Sequence, residues 1–98
     1  MNRLQLTASV VEREPVRYTP AGNPIASRNL QHAAEVVEAG LARKIELALQ
    51  AVAVGEASGL ESCPMGVETR FTGFLAKKSR NARTLVFHIT ELQDIGKD

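Results

Sequence analysis

Leu4, Leu6, Ala8 and Val10 alternate with Gln5, Thr7 and Ser9. That period of two predicts a strand over residues 3–12 with one buried face. The same alternation returns twice toward the other end. Val67, Thr69, Phe71, Gly73 and Leu75 alternate with Glu68, Arg70, Thr72 and Phe74. Gly73 inside that run predicts a bulge or a close backbone approach. Leu85, Phe87 and Ile89 then alternate with Val86, His88 and Thr90, and Leu92 and Ile95 close the apolar pattern before a polar tail. Phe71 and Phe87 share faces with apolar neighbours and are expected in the core. Phe74 falls on the opposite side from Phe71, where a second copy of the chain, a ligand or another part of the core can meet it.

Residues 25–54 support two readings. His32–Ala39 and Leu41–Leu49 are rich in Ala, Leu, Glu and Lys, and intrinsic propensity favours helix for both. The rival reading is a strand pair. Ile45, Leu47, Leu49, Ala51 and Ala53 would lie on one side, with Lys44, Glu46, Ala48 and Gln50 on the other. Glu38-Ala39-Gly40 serves equally as a hairpin loop or as a helix C-cap. Propensity taken alone leans to helix, but tertiary context often overrides it.

Between these segments the chain carries turn chemistry. Arg13–Pro24 holds Pro15, Pro20, Pro24 and Gly22, a turn-rich connection in which Arg17 and Tyr18 can still pair at a sheet edge. Gly55–Gly66 reads as a loop with at most one helical turn at Glu56–Leu60, and Lys77–Arg83 as a polar connection. Three clear strands, two contested ones and little helix favour a small β domain.

With 98 residues, this is one domain's worth of chain, expected to span 1–98. Twelve Lys and Arg against eleven Asp and Glu leave a formal charge of +1, which excludes a protein that grips nucleic acid by bulk charge. An anion site must then come from where the charges sit. One cysteine provides no internal disulfide framework, and no Cys-based zinc site closes within one chain. Aromatic residues are 4% and Trp is absent, so stacking rests on few rings. The N-terminus lacks a secretory pattern and no run of about 20 apolar residues is present. These features, with a lone Cys63, fit the reducing cytoplasm and no membrane contact. Phosphate-loop and nucleophile patterns are missing, so the chain is expected to be no enzyme and to use no cofactor or metal. Glu35, Glu38, Glu46 and Glu56 are expected to be surface partners of nearby cations, His32 and His88 structural, and Cys63 an inert thiol.

Three stretches carry a resemblance: Arg17-Tyr18-Thr19-Pro20-Ala21-Gly22-Asn23-Pro24, Thr72-Gly73-Phe74-Leu75-Ala76-Lys77-Lys78-Ser79-Arg80, and Leu85–Ile95. Together they resemble the bacterial primosomal replication protein N (primosomal protein B) family, close relatives of the single-stranded DNA-binding proteins, from about Asn2 to Ile95. The resemblance implies an all-β, five-stranded OB-fold barrel, homodimeric, that binds single-stranded DNA during replication restart. It also implies contact with the restart helicase, primosomal protein A, and with other primosome proteins. It makes residues 25–54 the second and third strands, joined near Glu38–Leu41. OB-folds bind oligonucleotides on the face of those strands and on flanking loops, which here are Pro15–Pro24 and Lys77–Arg83.

Lys77, Lys78, Arg80 and Arg83 place four cations in seven residues with no acid among them. Backbone phosphates attract such a cluster and counterion release drives binding. Arg70 lies in the strand before it. Arg17 and Tyr18 are the second candidate, Tyr18 as a base-stacking ring. Some relatives carry a Trp in the third strand and a cation in the second, both used for nucleic acid. Glu46 stands near the first of these positions and Ala33 near the second, so binding is expected to be weaker than in those relatives or to lean on the basic loop. The alternative reading is a protein-interaction adaptor of the replication machinery with little DNA affinity of its own. For the dimer, the fourth strand, with Arg70 and Phe74 to one side, is the expected contact.

Overall fold

The computed structural model describes residues 1–55 and 59–94. Its strands are β1 (Leu4–Arg13), β2 (Arg17–Tyr18), β3 (Pro24–Glu38), β4 (Leu41–Val54), β5 (Thr69–Lys77) and β6 (Leu85–Asp94), with a 3-10 helix at Leu60–Ser62. β2 is a two-residue edge piece, Arg17 opposite Ile25 and Tyr18 opposite Pro24. The other five strands close a barrel in the order β1-β5-β6-β4-β3, with β3 returning to β1.

Closure depends on β1 serving two neighbours. Leu4–Ala8 pairs with β5, whereas Ser9–Arg13 pairs with β3, and the register slips between Val10 and Glu12. An extra residue bends a strand and increases its twist, which turns β1 from one wall to the next. Closure removes most free edges, and the connectivity is that of an OB barrel.

The helical reading of residues 25–54 is overturned. These residues form β3 and β4, antiparallel without interruption from Ile25–Val54 to Glu38–Leu41. Intrinsic preferences differ by less than about 1 kcal/mol per residue. Against them stands a buried stripe of one parity, Ala26 and Leu30 on β3 and Ala51 and Ala53 on β4, which only the extended chain lines up. Ile45, Leu47 and Leu49 share that parity, as the strand reading expected. The two-residue turn Ala39-Gly40 has φ of 53° and 78°, the doubly left-handed geometry of a type I′ hairpin.

Val10, Leu30, Leu60, Phe71 and Phe87 are fully buried, with Ala8, Cys63 and Ile89 packed around them. Both phenylalanines expected in the core are there, each contributing about 1.5–3 kcal/mol by burial. Leu60 and Cys63, from the 3-10 segment, belong to the same cluster. This helical turn lies at Leu60–Ser62, and of the turn expected at Glu56–Leu60 residues 56–58 are outside the described residues. β5 begins at Thr69 rather than Val67, and β6 runs on to Asp94, Ile95 being outside the described residues.

Gly73 shows both features read from the sequence. The β5–β6 register shifts between Thr72 and Gly73. A Cβ on Gly73 would lie 1.8 Å from the carbonyl oxygen of His88.

Arg28 is the unexpected core residue, only 4% exposed. Its Nη1 donates to the carbonyls of Ser27 (2.8 Å) and Glu14 (3.4 Å), and its Nη2 to the carbonyl of Glu61 (3.2 Å). Arg13, its cross-strand partner, donates to the carbonyl of Cys63 at 3.2 Å. The two guanidinium groups thus tie the 3-10 segment to the barrel. Burial, and then Arg13, push the Arg28 pKa down, while Cys63 and Glu61 act in the other direction.

Candidate nucleic-acid interface

β5 hands over to β6 through a loop closed by three bonds. The Lys78 amide donates to the Thr84 carbonyl at 2.9 Å, and the Ala82 amide to the Ser79 carbonyl at 3.1 Å. Lys77 Nζ donates to the Arg80 carbonyl at 2.9 Å. Lys77, Lys78, Arg80 and Arg83 are all exposed, and none pairs with an acid among the described residues. Lys77 therefore has two tasks available to it, holding the turn and presenting charge.

The parallel register, Ala51 with Phe87, sets Leu85 level with Leu49, so the basic loop lies at the barrel end from which the β3–β4 arm projects. Arg17 and Tyr18 sit at the other end, beside Ile25 and Pro24. Six positions of β3 separate Pro24 from Leu30, about 20 Å at roughly 3.3 Å per residue. The two predicted clusters are thus not one patch. A single strand touching both must cross the sheet, within the 4–16 nucleotides or so that one OB-fold spans.

Successive strand residues face opposite ways, which divides the second cluster. Arg17 shares the outer face with its partner Ile25 and with Val54 beyond it. Tyr18, 69% exposed, takes the other side of the edge. Arg70 is seven positions before Lys77, about 23 Å along β5, and lines a groove of about 340 Å³ with Gln5, Thr72, Glu91, Leu92 and Gln93. It does not join the basic loop.

Along the arm the outward pairs are Gln31–Ala48, Ala33–Glu46 and Glu35–Lys44. Of the acids expected to meet cations, Glu38 forms an ion pair with Arg43 and Glu35 stands opposite Lys44. Glu46 faces Ala33 instead, and Glu56 is outside the described residues. His32 Nδ1 lies 2.6 Å from the Thr7 carbonyl, a structural contact if Nδ1 carries the proton. Cys63 is buried, its Sγ 3.8 Å from Thr69 Oγ1. Among the described residues no three His, Cys, Asp or Glu side chains gather as a metal site, and no helix is long and apolar enough to cross a membrane.

One feature of the outer face escaped the sequence reading. Phe74 and His88 are cross-strand partners whose rings stack, centroids 4.9 Å apart and planes 4° from parallel. Their shared outward parity was visible in each strand separately. The β5–β6 register that brings them together, with its bulge, was not.

Comparison with known proteins places these features in a family. A family model described as another single-strand binding protein family matches residues 2–91. The replication restart protein PriB of Bordetella pertussis is 41% identical over 96 residues, covering 97% of this chain and 90% of that one. That of Nitrosomonas europaea is 35% identical over 95 residues, 96% of this chain and 88% of the other. Among solved structures, PriB from Ralstonia solanacearum superposes with a TM-score of 0.85 at 43% identity, covering 97% and 98% of the two chains. The single-stranded DNA binding protein of Thermus aquaticus shares the fold, with a TM-score of 0.73 at 16% identity over 97% of this chain and 50% of that one. A barrel of OB connectivity with a basic β5–β6 loop, matched along nearly its whole length at this identity, belongs to the replication restart protein PriB family.

Proposed function

We propose that this chain binds single-stranded DNA in bacterial replication restart, in the cytoplasm, and catalyses no reaction itself. The observation that carries the reading is the β5–β6 loop. Four exposed cations stand there without an acid, at one end of an OB barrel whose overall charge is only +1. Lys follows phosphate as a flexible point charge, while Arg bonds it in a fork or stacks on a base. Release of counterions from the strand then drives association. The replication-restart names of the relatives support the biological setting; contact with the restart helicase, primosomal protein A, and with other primosome proteins is part of the proposal.

The test is fluorescence anisotropy of a labelled oligonucleotide titrated at two salt concentrations. Affinity is expected to fall steeply with salt, by about 0.7 in logarithmic slope for each phosphate neutralised on a single strand. Charge reversal of Lys77, Lys78 and Arg80 together should abolish most of it. Unchanged affinity in that variant removes the loop from the site.

The reading includes a homodimer. Among the described residues the β3–β4 arm has no third strand past Gln31, where the pairing of β1 with β3 ends. Two strands alone are marginal in water. One face of the arm continues the parity of Leu30 and carries Ala34, Val36, Leu41, Ile45 and Leu47, a surface that a second copy of the chain would cover. A sedimentation mass near 10.6 kDa at micromolar concentration argues against this.

The same arm favours a second reading, a protein adaptor with little DNA affinity, because its outer face carries Glu35 and Glu46 near the basic loop. Capture of partner proteins after nuclease digestion separates the two. An adaptor complex survives digestion, and a DNA-bridged one does not.

A further inference from the structure

We infer that the outer face of the barrel holds a slot for a nucleobase, walled by the stacked Phe74–His88 pair and by the valines of β4. The inference rests on the single-stranded DNA reading above, and adds the part of the surface that meets bases rather than phosphates.

Phe74 on β5 partners His88 on β6, and His88 partners Val52 on β4 across the parallel ladder. The three residues form one row over three strands, all on the outer parity, because Phe87, Ile89, Ala51 and Ala53 beside them are buried. The row is open at its Phe74 end and covered at the other, where Ser27, the partner of Val52, is fully buried. Phe74 is 38% exposed and Val54 is 54% exposed. A groove of about 220 Å³ runs alongside, lined by Val52, Val54, Phe74, His88, Ile89 and Thr90, with no acid in its walls. The β4–β6 ladder extends no further than Val52–His88, so the strands part beneath the groove. Flat rings beside aliphatic side chains suit a base, and stacking of this kind tolerates any sequence because every base has a π-face.

Charge at both ends favours a polynucleotide over a protein segment. Val54 partners Ile25, which partners Arg17, so Arg17 lies on the same face at one mouth of the groove. From Phe74 the outward positions continue to Ala76, and Lys78 follows just past the end of β5, about 13 Å on at roughly 3.3 Å per residue. A strand running from Arg17 to the basic loop passes over the rings. Cations at each end take phosphates and the slot takes a base between them.

The two contributions respond to different variables. Phosphate contacts weaken with salt, whereas stacking follows the presence of a base. In anisotropy titrations with labelled oligothymidine, Phe74→Ala should bind about tenfold more weakly, the loss of one stacked base, and with an unchanged salt slope. An oligonucleotide carrying consecutive abasic sites should bind the native protein about as weakly, and Phe74→Ala should not distinguish it from oligothymidine. Phe74→Trp keeps a ring in place and introduces the only indole in a chain that has no Trp. Its emission should be quenched as the oligonucleotide binds. If that variant binds with no change in emission, or if Phe74→Ala binds as the native protein does, the slot is wrong while the DNA reading stands, and the groove is left for a protein segment. If the native protein binds no oligonucleotide, both readings fall.

Discussion

Ala33 and Glu46 face each other directly across the antiparallel arm of β3 and β4. Here the pair presents a methyl group and a carboxylate, both exposed. Glu46→Lys should therefore strengthen binding of single-stranded DNA several-fold at low salt and steepen the salt slope by about 0.7. Ala33→Lys should give a smaller gain, because the new ammonium sits opposite Glu46 and pairs with it. Anisotropy titrations over a salt series measure both. No effect from Glu46→Lys would take the arm out of the path of the strand.

Lys77 and Lys78 are neighbours with different surroundings. Lys78 offers charge alone, so Lys78→Ala should lower the salt slope by about 0.7 and leave the fold intact. Lys77 also bonds the Arg80 carbonyl at 2.9 Å. Lys77→Ala should lose more affinity than Lys78→Ala and accelerate amide exchange at Ala82, whose N–H closes the same turn.

Ala39 holds φ at 53° in the arm turn. The left-handed conformation costs an L-residue with a Cβ roughly 1–2 kcal/mol, and Asn-Gly is the favoured pair for this turn. Ala39→Asn should stabilise the protein by about 1 kcal/mol in urea unfolding, with an unchanged slope. It should leave DNA affinity as it is, and a changed affinity would place the turn tip in the interface.

Gly73 has backbone where a side chain would go. Its Cβ would meet the His88 carbonyl oxygen at 1.8 Å, a contact relieved only by parting β5 from β6. Gly73→Ala should cost about 3 kcal/mol, at or above the upper end of ordinary overpacking. Phe71→Ala, which empties a fully buried site, should cost about 3–5 kcal/mol. In a domain with about 5–15 kcal/mol in all, each should depress the thermal midpoint sharply.

Arg28 satisfies three carbonyl groups from inside the barrel. Arg28→Met keeps much of the volume and removes the donors. Loss of these bonds should cost about 1–3 kcal/mol and loosen the 3-10 segment in particular. Limited proteolysis should cut near Leu60–Ser62 sooner than in the native protein.

Several of these features are legible in the sequence. The strands β1, β5 and β6 follow from alternation alone, and so does the burial of Phe71 and Phe87. Gly73 within an otherwise regular strand announced a bulge or a close approach, and both are present. The basic loop was also plain, because four cations without an acid form a local pattern. Arg28 was not foreseen. An arginine between Ser27 and Asn29 looks like a surface residue, and its acceptors, the carbonyls of Glu14 and Glu61, are brought to it by strands and loops distant in sequence. The separation of Arg17 from Lys77–Arg83 was hidden for the same reason.

What the chain determines by itself is which side of each strand is dry and where charge gathers, since both depend on neighbours one or two positions apart. Whether residues 25–54 become helices or strands was decided by the barrel. Local preference there is worth less than the apolar stripe that Ala26, Leu30, Ala51 and Ala53 build only when β3 and β4 lie side by side. The tertiary register also set which outward residues meet, placing Phe74 on His88 and Glu46 opposite Ala33, because cross-strand partners are fixed by hydrogen-bonded alignment and not by distance along the chain.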